Sequence, residues 1–190
     1  MRKDFGAKGW MFPLPVLVVG TYGSGRANAM AVAWGAICNA VPPCIALNVD
    51  ADRKTLANIR ETGEFTVSPA TEATLAQADY VGLVHGHDFD KIAACGLHPV
   101  RAPHVNAPLF EELPMTLECR TVSIAESGDC IRIVGEIVNV CADESILGEN
   151  GSIDPAKLHP IILDTVNATY LTTGTKIGNA YHDGLKYNKK

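Results

Sequence analysis

No C-x-x-C pair occurs in this sequence, although it holds six cysteines, Cys38, Cys44, Cys95, Cys119, Cys130 and Cys141. Zinc sites and iron–sulfur clusters therefore lack their usual local spacing. No uninterrupted apolar run reaches the roughly 20 residues that a membrane-spanning helix needs. The start, Met1-Arg2-Lys3-Asp4-Phe5-Gly6, has no apolar core of the secretory kind, so a cytoplasmic protein without a membrane partner is expected. In that reducing compartment the cysteines are expected to be free thiols, most of them packed as small hydrophobes. Basic charge is also short. Lys and Arg number 16 against 21 Asp and Glu, for a net charge of -5 and a pI of about 5.6, which excludes the basic face of a nucleic-acid binder. No linker, repeat or low-complexity segment divides the 190 residues, and 47% hydrophobic residues with a mean hydropathy of +0.09 suffice for one core. A single domain over 1–190 is expected.

Two local motifs fall short of the chemistry they suggest. Gly20-Thr21-Tyr22-Gly23-Ser24-Gly25 follows a strand, but its glycines miss the G-x-G-x-x-G pattern and a strand follows where a dinucleotide loop needs a helix. His85-Gly86-His87-Asp88-Phe89-Asp90 clusters imidazoles and carboxylates, yet no later His or Glu completes a recognisable metal set. A loop with a helix cap is the simpler account, and no metal is expected.

What is present reads mainly as β-structure. Val16 to Val19 predicts a strand, Tyr22 to Gly25 a turn, and Arg26 onward its hairpin partner. Glu64 to Val67 and the alternating Met115 to Arg120 predict further strands, and Cys130 to Cys141 a long one with Gly135 as a bulge. Helices are predicted over Thr71 to Tyr80 and Asp88 to Cys95, capped by Thr71 and Asp88 and with Gly96 as the second one's stop. Asp154-Pro155 predicts a short helix, because a capping side chain precedes proline at the first helical position.

Two adjoining segments carry the chemistry. Ala27, Ala29, Ala31 and Ala33 alternate with Asn28, Met30, Val32 and Trp34, and a period of two sends the four alanines to one nearly flat face. Such a face suits close approach of another backbone, the tight interior of a barrel, or a planar ring, whose polar edge Asn28 and Asn48 could serve. After the double proline Pro42-Pro43, the apolar run Cys44 to Val49 ends at Asp50-Ala51-Asp52, and Arg53-Lys54-Thr55 opens a helix stopped at Gly63. Cations in a first helical turn oppose the helix dipole by roughly 0.3–1 kcal/mol each. A phosphate there would reverse the balance, using free N–H groups, the Thr55 hydroxyl and both cations. The alternative is a solvated basic turn neutralised by Asp50 and Asp52. Cys38, just past the alanine strand, is the one thiol placed to approach a ligand, although core packing is the favoured reading for it too.

Taken in order, Asn28-Ala29-Met30-Ala31-Val32-Ala33-Trp34, Pro42-Pro43, Arg53-Lys54-Thr55, Glu61-Thr62-Gly63-Glu64-Phe65, His85-Gly86 with Asp90-Lys91, Pro114 to Cys119, and Gly135-Glu136 span most of the chain. This series resembles the flavin reductase-like, FMN-binding split barrels, and within them the flavoredoxins. The resemblance implies a mainly β fold with helical excursions, an FMN-binding split β-barrel of Greek-key type. It implies FMN held non-covalently at a homodimer interface. Asn28 to Trp34, with Asn48 and Val49, would lie beside the flavin ring and Arg53, Lys54 and Thr55 on the phosphate. His85 and Lys91 are carried over as further ligands from a loop that approaches the site.

No side chain need act as a nucleophile, because a flavin itself accepts a hydride or two electrons and releases them singly. Two function classes are compatible with that chemistry. One is an electron-transfer flavoprotein of flavoredoxin type with protein redox partners. The other is an NAD(P)H-dependent flavin reductase, and a non-redox FMN-binding module is a third reading.

Overall fold

A computed structural model describes residues 1–86 and 90–188. The chain runs through β1 (Leu14–Pro15), β2 (Leu17–Gly23), β3 (Arg26–Val32), β4 (Gly35–Ala40) and β5 (Pro43–Asp50), then α1 (Lys54–Thr62) and β6 (Glu64–Pro69). Two helices follow, α2 (Leu75–Leu83) and α3 (Lys91–Cys95), and a short pair, β7 (Pro99–Arg101) and β8 (Pro108–Phe110). The long hairpin of β9 (Met115–Ser127) and β10 (Cys130–Ala142) leads to α4 (Pro155–Leu158), β11 (Ile161–Asp164) and β12 (Thr169–Thr172). Among the described residues no helix is long and apolar enough to cross a membrane.

Seven strands form one antiparallel sheet in the order β3-β2-β6-β9-β10-β5-β4. Its two end strands, β3 and β4, are consecutive in the chain and are joined by a bend at Ala33-Trp34. The Asn48 N–H donates to the Trp34 carbonyl at 2.8 Å, so β5 ties that corner and the sheet curls into a barrel. β1, β11 and β12 make a separate three-stranded sheet, with β1 pairing to β11.

The strands near the chain start are apolar at nearly every position because both of their faces are covered. Leu17 and Val19 of β2 join Met30, Val32, Leu47, Phe65, Val67 and Ile133 inside the barrel, where Leu56 and Ile59 of α1 also pack. Val16 and Val18 point the other way, into a second core with Ala29, Ala78 and Val81, Ile92, Phe110 and Ile161. Period-two alternation thus feeds two cores rather than a core and solvent.

The turn glycines and caps behave as their local chemistry dictates. Gly63 ends α1 and Gly96 ends α3, both left-handed, with φ of 71° and 70°. Asp154 caps α4 by accepting from the Ala156 N–H at 2.9 Å. The β9–β10 pairing shifts register between Val134 and Gly135, and a Cβ on Gly135 would collide with the Phe65 ring. The bulge therefore exists where the core needs a strand without a side chain.

Several boundaries differ from the sequence expectation. The alanine strand stops at Val32, because the bend takes Ala33 and Trp34. β2 continues through Gly23, leaving only Ser24-Gly25 for the turn, at φ 49° and 74°. The helix expected over Thr71 to Tyr80 is a 3-10 turn at Glu72–Thr74 followed by α2, which runs on to Leu83. α3 starts at Lys91, with Asp90 rather than Asp88 in the capping role, accepting from the Ala93 N–H at 3.2 Å. The expected cap Asp88 lies outside the described residues.

Candidate functional site

The start of α1 has no side-chain cap. Arg53 occupies the cap position in extended geometry, φ -71° and ψ 132°, without a capping hydrogen bond. Asp50 faces Arg53 instead and accepts from Nε at 3.0 Å and from a terminal guanidinium nitrogen at 2.7 Å. The neutralised-turn alternative therefore describes Arg53, but not Lys54. Helix α1 presents the Lys54 and Thr55 N–H groups and the Lys54 ammonium with no side-chain cap, an arrangement that suits an anion.

A cavity of about 840 Å³ opens beside this helix start, walled by Ala27 and Asn28 of β3, Lys54 of α1, Gly86, and Lys91 of α3. Arg26 and His98 also line it, and the one carboxylate among its described lining residues, Asp90, is engaged as the α3 cap. Lys91 is only 4% exposed. Its Nζ donates to the carbonyls of Val81 and Val84 at 2.9 Å each, where the last turn of α2 has carbonyls to spare. An ammonium has three donors, so one is left over for a ligand. Burial, with Arg53 and Lys54 nearby, lowers the Lys91 pKa from 10.5 to about 8. An incoming anion would counter both by favouring the charged ammonium.

Behind the wall lies a polar set within the apolar barrel end. Asn28 Nδ2 donates to Thr55 Oγ1 at 2.9 Å and to Thr21 Oγ1 at 3.5 Å, and Asn58 Nδ2 donates to Thr21 Oγ1 at 3.0 Å. Gly86 fits against this set only because it lacks a side chain, since a Cβ there would collide with Asn28 Oδ1.

The fold thus gathers Asn28, Lys54 and Lys91 around one cavity, with Thr55 directly behind Asn28 and Arg53 close enough to depress the Lys91 pKa. The other candidates lie elsewhere. Ala29 is fully buried in the second core, and Ala31 meets α2, where a Cβ on Gly82 would sit 3.1 Å from that of Ala31. Over these two residues the flat alanine face serves close approach of a helix backbone. Met30, Val32 and Val49 point into the barrel. Ala33 and Trp34 lie at the bend, with Trp34 half exposed, and Asn48 nearby accepts from Arg132 Nε at 3.4 Å. His85 is exposed next to Gly86. Thr21, Asn58, Arg26 and His98 were not singled out as site residues by sequence reasoning. A usable signal existed for Asn58, three residues after Thr55 and so on the same helix face.

A seven-stranded antiparallel sheet curled and tied at one corner, with a basic helix start beside its edge strand, defines the split-barrel flavoprotein fold. The chain belongs to the family described as the flavin reductase like domain, whose model matches residues 9–161. It is similar to the flavoredoxin of Desulfovibrio vulgaris (Miyazaki F), with 37% identity, a TM-score of 0.93 and coverage of 97% of this chain and 100% of that one. The flavoredoxin from Methanosarcina acetivorans is 30% identical, with a TM-score of 0.90 and coverage of 98% and 99%. A split barrel domain from Shewanella frigidimarina shares the fold alone, at 22% identity, a TM-score of 0.79 and coverage of 88% and 86%.

Proposed function

We propose that this single-domain protein holds FMN non-covalently and passes electrons through it between protein partners in the cytoplasm, as a carrier of flavoredoxin type. The observation that carries the reading is the cavity where an uncapped helix start, Lys54 and the buried Lys91 converge, with no free carboxylate among its described lining residues. These residues would hold the phosphate. The exposed bend at Trp34, with Asn48 behind it, would border the ring. Bound FMN supplies acceptance of a hydride or two electrons and their release one at a time. The protein's part is to bind, orient and shield.

Cofactor chromatography after denaturation of the purified yellow protein tests the first half of this reading, with FMN expected and FAD or no flavin contradicting it. Anaerobic stopped-flow absorbance tests the second. A nicotinamide must stack on the flavin to transfer hydride, and the chain has no dinucleotide fingerprint. Slow or negligible bleaching by NADH and NADPH is expected, and rapid bleaching by dithionite. Fast, saturable reduction by either nicotinamide would make this a flavin reductase instead.

Lys91 gives the site a pH dependence. Its ammonium is charged below about 8 and neutral above, and a phosphate favours the charged form. FMN affinity therefore falls as pH rises through about 8, whereas riboflavin affinity stays level. Calorimetric titrations on either side of that pH read the difference. In the unliganded protein the sign is opposite. The unfolded chain keeps its Lys91 proton up to 10.5, so stability rises between about 8 and 10.5.

Assembly follows from the same bend. Trp34, Ile37 and Val41 are 50%, 62% and 89% exposed along one edge of the barrel, an apolar stripe of the kind that a partner covers. We propose that a second copy covers it, forming a homodimer with each flavin at the interface. Sedimentation should give the dimer mass, and added FMN should hold the dimer together on dilution. A monomer that binds FMN tightly would refute the arrangement.

A further inference from the structure

The Asn28 amide in the cavity wall is held from behind by residues that come from two other elements and do not line the cavity. Thr21 of β2, Thr55 and Asn58 of α1 and Asn28 of β3 have exposures of 0, 1, 4 and 4%. Polar side chains are retained at such depth where their hydrogen bonds are made. Here three elements give buried positions to four of them, next to the apolar Val19 and Leu56. The main chain also makes room for them. A Cβ on Gly23 would collide with Asn58 Oδ1, and one on Gly86 would collide with Asn28 Oδ1.

Asn58 reaches Thr21 at 3.0 Å, and Thr21 in turn accepts from Asn28 at 3.5 Å while Thr55 accepts from it at 2.9 Å. Both hydrogens of the Asn28 amide are thereby used on the inner side. Its carbonyl oxygen is turned toward Gly86, whose absent Cβ would also lie 3.3 Å from Lys91 Cε. An acceptor beside a phosphate-binding ammonium cannot serve the phosphate itself, which has no proton to offer when fully ionised.

We infer that Thr21 and Asn58 are positioning residues for the flavin site, fixing the Asn28 amide so that its carbonyl oxygen accepts a hydrogen bond from a hydroxyl of the ribityl chain. This rests on the flavin reading. It extends the site to two residues on the far side of the cavity wall.

The test uses three flavins. FMN and riboflavin carry the ribityl hydroxyls, and lumiflavin lacks them. Thr21→Val removes one hydroxyl at nearly constant shape, and Thr21→Ser keeps it. Thr21→Val should weaken FMN and riboflavin equally, by about tenfold, and leave lumiflavin unchanged, with Thr21→Ser close to the parent. Because the effect passes through Asn28, Thr21→Val should cause no further loss in an Asn28→Ala background, the signature of coupled residues. Gly23→Ala, which displaces Asn58 without deleting a polar group, should reproduce the pattern and carries the test if Thr21→Val does not fold. Parent-like FMN binding by these variants, an equal loss of lumiflavin, or losses that add to that of Asn28→Ala would overturn the inference while the flavin reading stands. A parent protein that binds none of the three flavins would overturn the flavin reading itself.

Discussion

The double variant Arg53→Ala, Lys54→Ala is expected to bind FMN about 100-fold more weakly and riboflavin nearly as before. A charge-assisted hydrogen bond contributes roughly 1.5–3 kcal/mol. Arg53 is already shared with Asp50 at 2.7 Å, so its contribution falls at the low end, and the pair together amounts to about 3 kcal/mol, or 100-fold. Riboflavin has no phosphate and so does not register the loss. The variant should fold normally, because the Arg53–Asp50 pair is partly exposed and such pairs add little to stability. Removing two cations from the helix start also relieves their opposition to its dipole. Quenching of flavin fluorescence, titrated for both ligands, reads the contrast. Equal losses would return the turn to a structural role and leave Lys91 and Arg26 as the other cations lining the cavity.

Phe65→Ala is expected to be the most damaging single substitution in the barrel, at about 3–5 kcal/mol. Phe65 is fully buried on β6, opposite Cys119 in the ladder with β9, and its ring fills the space left by the missing side chain of Gly135. Removing the ring leaves a void next to a bulge that cannot close without re-registering β10 against β9. Against a typical domain stability of about 5–15 kcal/mol the loss is large. A lower urea midpoint with an unchanged slope is the expected readout. Thiol labelling supplies an independent one, because burial pushes the Cys119 pKa up to about 12 and so suppresses its thiolate. Labelling of Cys119 should be slow in the parent and fast in Phe65→Ala. A stability loss below about 1 kcal/mol, from the midpoint shift times the slope, would mean that the core relaxes into the space.

Much of the barrel was legible residue by residue. The Gly63 stop of α1, the Asp154-Pro155 start of α4, the β2–β3 hairpin and the Gly135 bulge each follow from conformational preferences acting over a few neighbours. Boundaries were less legible where two elements compete for the same residues. Ala33 and Trp34 continue the alternation of β3, yet they form the bend that lets β4 reach the far side of the sheet. The extension of α2 to Leu83 is decided in the same way, since Val81 is fully buried in the second core.

For the site, the sequence by itself determined the chemical inventory: a basic helix start, a strand bearing Asn28 among alanines, and an ordered set of motifs that resembles one family. It also determined the absence of C-x-x-C spacing and of a dinucleotide loop. Only the tertiary structure decided how that inventory is used. It assigned Ala29 and Ala31 to α2, turned Met30 and Val32 into the barrel, engaged Arg53 with Asp50, and brought Lys91 to Lys54 across 37 positions of chain. The physical reason is one of range. A cap, a turn or an alternation is settled by torsions and hydrogen bonds within a few residues, so it is written locally. Which of two apolar strand faces meets a helix, and which buried amide finds Thr21, depends on the closure of long loops and on volume shared among distant side chains.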